Sequence, residues 1–99
     1  MSTEMNMARK ATHDKIESQI HTVEAKLETL KARAEAAKAD AELKAIAGLL
    51  TKKQAIEHKL AEMKKASESA HQQAKTDIES RLAELEKSVH AIESKFKAR

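Results

Sequence analysis

The run IESQIHTVEAKLETL, residues 16–30, decides the fold class. Its apolar side chains, Ile16, Ile20, Val23, Leu27 and Leu30, recur at alternating steps of four and three, and Ala34, Ala37 and Ala41 carry the alternation onward. A half-buried strand repeats every second residue, whereas this spacing puts one apolar stripe on one helix face, the heptad seam of a coiled coil. A second seam runs Ile56, Leu60, Met63, Ala70, Ala74, Ile78, Leu82, Leu85, Val89, Ile92 and Phe96. It carries polar Ser67 at one core position and a 4-4 step at Ala74–Ile78–Leu82, where the repeat shifts phase.

Composition agrees with helix and excludes most alternatives. Of 99 residues 40% are hydrophobic, but nineteen of these are alanine and Phe96 is the sole aromatic, so a β-rich core cannot be filled. Gly48 is the only glycine and proline is absent, which removes glycine-rich phosphate loops and most turn chemistry. Without cysteine there is no disulfide, no thiolate nucleophile and no cysteine-held zinc. No stretch approaches the roughly 18–20 apolar residues of a bilayer span. MSTEMNMARK, residues 1–10, has no apolar run of a secretory signal, so a cytoplasmic setting is expected.

The two seams do not join in phase. Extending the first beyond Ala41 brings Lys44 and Gly48 onto the stripe and leaves Leu43, Ile46, Leu49 and Leu50 off it. Glycine is costly inside a helix and favoured just past its end, and Thr51-Lys52-Lys53-Gln54 has the pattern of a capping box. These signals predict an all-α antiparallel helical hairpin: a flexible stretch over 1–11, a helix over 12–48, a turn at 48–52 and a helix over 52–97. Folding back there sets Ile16 opposite Ile92, Val23 opposite Leu85 and Leu30 opposite Ile78, large against large. The alternatives are a three-helix bundle with a second break near Ser67–Ser69, or a single long coiled coil.

In the hairpin one side of each seam stays wet, so a dimer of hairpins forming a larger helical bundle is expected. The packing seam is assigned to Ile16, Ile20, Val23, Leu27, Leu30, Ile78, Leu82, Leu85, Val89, Ile92 and Phe96. Leu43, Leu49, Leu50 and Ile56, near the tip, are candidates for contact with another chain.

Five histidines raise the question of metal. Glu68-Ser69-Ala70-His71 has the Glu-x-x-His spacing of di-iron bundles, with Glu35 or Glu42 as further carboxylates. The seam, however, turns Ser67 and Ala70 inward and Glu68 and His71 to the flank, and Glu17/His21 and Glu86/His90 are ordinary partners four apart. No metal or other cofactor is expected, and the histidines are read as solvated. Carboxylates such as Glu24, Glu28, Glu35 and Glu84 sit among lysines at ion-pair spacing, with no apolar surround to raise a pKa, so no catalytic residue is assigned and the chain is read as no enzyme.

Net charge is +3, and residues 51–99 hold all of it, with eleven basic against eight acidic groups. Lys52-Lys53, Lys64-Lys65 and Lys95-Phe96-Lys97-Ala98-Arg99 could touch phosphates. Interleaved glutamates and the lack of an aromatic platform rank a nucleic-acid module second, and a membrane surface third because the apolar stripe is narrow. The first reading is a structural or adaptor coiled-coil protein whose partner is a second copy or a helical protein. The stretch Lys26–Phe96 resembles short bacterial coiled-coil proteins of unassigned function, through the alternating KA/AE tract of Lys31–Glu42, the KLAEMKKAS segment at 59–67 and the SKFK ending at Ser94–Lys97. Members often carry a Ser-Gly-Asp break and a tryptophan, where this chain has Ser67-Glu68-Ser69-Ala70-His71. The resemblance implies a helical bundle or coiled coil and no activity.

Overall fold

Each seam needs an apolar partner surface, and three helices supply it to one another. The computed structural model describes residues 3–97, with side chains from Met7 onward. Helix α1 spans Thr3–Ala36, α2 spans Asp40–Lys64 and α3 spans Glu68–Lys97, running up, down and up. The all-α bundle is therefore present, in its three-helix form, as a rod of 53 × 17 × 16 Å.

Cross-helix contacts set the register. Glu24–Lys53 and Glu17–Lys64 tie α1 to antiparallel α2, and Lys59–Asp77 ties α2 to antiparallel α3. Arg9 on Glu68 and Arg33 over the Phe96 ring mark the two ends of the parallel α1–α3 pair. In that register Ile16, Met63 and Ile78 share one level of the core. Ile20, Leu60 and Leu82 form the next, then Val23, Ile56 and Leu85, and further on Leu30, Leu49 and Ile92. Every residue of the expected packing seam is buried, Leu27 and Ile78 fully. The pairing differs from the hairpin's: Ile16 shares its level with Ile78, not Ile92. Heptad seams match large against large in either direction, so the positions of the turns decide which match forms.

The turns lie at residues 37–39 and 65–67, and the expected turn at 48–52 is instead the interior of α2. The first turn is a Schellman motif: Lys38 N–H donates to Glu35 O at 3.1 Å and Ala39 N–H to Ala34 O at 2.9 Å. Lys38 occupies its left-handed position with φ of 55°, where glycine is the usual residue, and Ala34 and Ala39 supply the accompanying apolar contact. Ala37 and Ala41, assigned to the stripe from the sequence, are exposed because the chain reverses between them. Thr51 caps nothing; its hydroxyl donates back to Ala47 O at 3.2 Å. The second break falls beside the Ser67–Ser69 alternative, and Ser67 O accepts from His71 N–H at 2.7 Å to open α3.

Gly48 lies inside α2 with nothing within 4 Å of where a Cβ would stand. Its placement costs helix entropy without serving a close approach, while Lys38 bears left-handed strain that glycine would relieve. Gly48→Ala should therefore raise stability by about 0.5–1 kcal/mol, and Lys38→Gly by about 1 kcal/mol. The two sites are far enough apart along the chain to add. A thermal melt of the double variant should sit several degrees above the parent's, and a lower midpoint for Gly48→Ala would contradict a helix through residue 48.

Helix α1 also starts at Thr3 and not near residue 12. Arg9 explains the longer helix, because its Nη1 donates to Ala66 O at 3.1 Å and its Nη2 to Glu68 Oε2 at 3.3 Å, fastening α1 across the second turn. Residues 1–2 and 98–99 lie outside the described residues, and with them Ala98 and Arg99 of the basic C-terminal run.

Candidate functional site

Following each seam to the end of the rod leads to polar residues. From Ile16 the alternation steps back to His13 and Arg9, and from Ile78 to Ala74 and His71. His71 is 5% exposed and is the one buried polar residue among those described. The flank position expected for it from the sequence is thus corrected: Ser67 and Ala70 are exposed and His71 points inward. The reason is the break before Glu68. A seam continued in phase through Met63 reaches Ala70, but a new helix begins at Glu68 and takes its phase from Ile78.

His13 and His71 meet with their Nε2 atoms 3.0 Å apart, ring centroids 5.2 Å apart and planes tilted by 53°. For nitrogens so close, so long a centroid separation means the two nitrogens face each other head-on. One ring donates its Nε2–H and the other accepts with a bare Nε2. Burial pushes the His13 imidazole below its ordinary value of 6.5, with His71, Lys64 and Arg9 adding to the effect and Glu17 opposing it. His71 is lowered first by burial and then by Arg9 and Lys75, against Glu68. Arg9 itself is mostly buried, and its Nε has no hydrogen-bond partner. Lys64 donates to Glu17 Oε1 beside the pair, a contact that holds the Glu17 carboxyl below its usual range. No group of three or more histidine, aspartate or glutamate side chains that could hold a metal ion occurs among the described residues.

A second polar feature interrupts the middle of the core. The seam of α2 is Ile46, Leu49, Lys53, Ile56, Leu60 and Met63, and Lys53 takes the level of Leu27 and Val89. Its side chain is 12% exposed, and Nζ reaches Glu24 at 2.8 Å and Glu57 at 3.2 Å. The hydrogen bond to Glu24 raises the lysine above its ordinary value and the same bond lowers the carboxyl.

The candidate contact residues fall inside the chain's own bundle. Ile56 and Leu49 are buried, and Leu43 and Leu50 are half-buried against the same core. Helix α2 covers the side of the seams that a hairpin would have left wet, so the burial argument for a second copy no longer applies. Met7 is the one exposed large apolar side chain among the described residues.

The recesses between helices are open grooves. One lies between α1 and α3, lined by Ser18, Gln19, Thr22 and Glu86, and another between α2 and α3, lined by Lys52, Ala55, Ser80 and Ser88. Of the basic groups named for phosphate contact, Lys53 and Lys64 are engaged with Glu24 and Glu17. No helix among the described residues is long and apolar enough to cross a membrane. The geometry defines a class, a three-helix bundle with one polar corner and one lysine in its seam. Comparison with protein-family models, curated proteins and solved structures finds no match to this chain.

Proposed function

We propose that this protein is a structural or adaptor element that works by helix–helix association with a helical partner and performs no catalysis. The observation supporting this most strongly is that the seams of three helices are consumed in a single register. That leaves a rod 53 Å long whose exposed positions carry interleaved lysines and glutamates among alanines and small polar residues. A closed core of this kind gives a stiff spacer with long charged faces. Specificity for a partner helix then comes from complementary charge, which discriminates between partners more than it adds raw affinity.

Light scattering on a size-exclusion column, combined with titration of duplex DNA, tests the reading. The expected result is a species of 11.0 kDa at every concentration, with DNA binding that is weak even at low salt. A stable dimer or tetramer would make a second copy the partner. Tight DNA binding that collapses between about 50 and 200 mM salt would replace the adaptor with a nucleic-acid module.

A further inference from the structure

We propose that the corner formed by Arg9, His13 and His71 is an acid-released latch, closed while the two imidazoles share at most one extra proton and opened by the second. The head-on arrangement decides this. With both rings neutral, one N–H lies between the nitrogens. Protonating the donor ring at its other nitrogen keeps that bond and makes it charge-assisted. Protonating the acceptor as well places two N–H groups and two positive charges against each other, with no lone pair between them.

The surroundings disfavour even the first charge. Arg9 from α1, Lys64 from the end of α2 and Lys75 from α3 all raise the local positive potential. His71 lies within the first turn of α3, where the helix dipole also opposes a cation. Glu17 and Glu68 are the carboxylates facing the pair, but they are already bonded to Lys64 and Arg9.

The sign of the pH effect follows. Both histidines are held below 6.5, so in mild acid the unfolded chain binds more protons than the folded one. The closed corner is fully favoured above 6.5 and loses stability as pH falls from there towards the depressed folded values.

Opening should be local. Beyond the histidine pair, α1 is held by the Arg9 bonds to Ala66 and Glu68, and on the other side of it the apolar core resumes at Ile16, Met63 and Ile78. Acid therefore frees the first turns of α1 and uncovers the apolar level beneath them, while the middle of the rod stays folded.

Imidazole and amide NMR on the full chain between about pH 8 and pH 5 tests the latch, since exposed carboxylates stay ionised over most of that window. At the alkaline end one of the two rings should carry its proton on Nε2 and the other on Nδ1. On acidification, amides of residues 9–13 and 67–71 should lose hydrogen-exchange protection by about tenfold or more, because the opened corner takes up protons that the closed one resists. Amides near Leu27 and Val89 should change far less. His13→Leu with His71→Leu should remove the step by replacing the pair with apolar contact. His71→Gln serves independently should that pair fail to fold, because an amide can donate or accept and so keeps its bond to His13 in either protonation state. A step that persists unchanged in the folded variants, or wild-type protection that holds throughout, would overturn the latch.

Discussion

Replacing Ile56 by glutamate should abolish cooperative folding. Ile56 is 2% exposed, at the level of Val23 and Leu85, near the middle of the rod. Removing the apolar side chain forfeits about 1.5–3 kcal/mol of burial, and an unpaired carboxylate there adds several kcal/mol more. The sum is comparable with the whole stability of an ordinary domain, about 5–15 kcal/mol. Far-UV circular dichroism should show helicity far below that of the parent at 25 °C and no sigmoidal melt. Ile56→Val, which only trims a methyl, should cost about 0.5–1.5 kcal/mol and keep the transition. The measurement also separates two locations for this residue. Had Ile56 faced a second chain, the glutamate would lower the molecular mass and leave helicity largely intact.

The same residue illustrates how far a sequence of this kind can be read. Period fixes helix and stripe, since Ile16 to Leu30 and Ile78 to Phe96 alternate in steps of three and four that only one face of a helix can satisfy. Direction is not encoded in that pattern, because a heptad seam presents nearly the same face to a parallel or an antiparallel partner. The turns therefore carry the topology, and here their usual signals are displaced. The left-handed position of the first turn is filled by Lys38, while the single glycine sits ten residues on at Gly48, mid-helix, beside a threonine that mimics a cap. Backbone hydrogen bonds and the burial of Ala34 and Ala39 close the turn without glycine, a tertiary effect that local propensity does not reveal.

The polar corner has a signal in the sequence. Stepping the first seam back from Ile16 lands on His13 and then Arg9, and stepping the third helix back from Ile78 lands on Ala74 and His71. Polar residues at seam positions of two helices, at the same end, mark groups that must face one another. The two ends coincide only when α1 and α3 run parallel, whereas a hairpin sets these segments antiparallel. The seam of α2 was likewise hidden, because Lys53 interrupts the alternation from Ile46 to Met63 and makes it look like two fragments.

Lys53 leads to the second large expected effect. A lysine at a seam position takes the place of an apolar side chain between Leu27 and Val89, and ordering its long stem against the core costs conformational entropy. What it gains is a pair of ion contacts whose carboxylates, Glu24 and Glu57, are 42% and 45% exposed, and contacts that wet add little to stability. Lys53→Leu exchanges this for continuous apolar packing and should stabilise the bundle by about 1–3 kcal/mol, in line with other buried charges replaced by hydrophobic residues of similar size. The substitution should also cost specificity. Lys53 reaches Glu24 on α1, and Asp77 on α3 takes Lys59, so the two contacts distinguish the faces of α2 and, with a lysine at a seam position, favour this register over a shift by one heptad. With leucine at 53 the seam of α2 becomes apolar from Ile46 to Met63 and able to pair with other seams. The expected outcome is a higher urea midpoint together with dimers at high concentration in light scattering. A lower midpoint would mean that the ion pairs outweigh the apolar packing. A higher midpoint with a strictly monomeric mass would mean that the remaining contacts specify the register without Lys53.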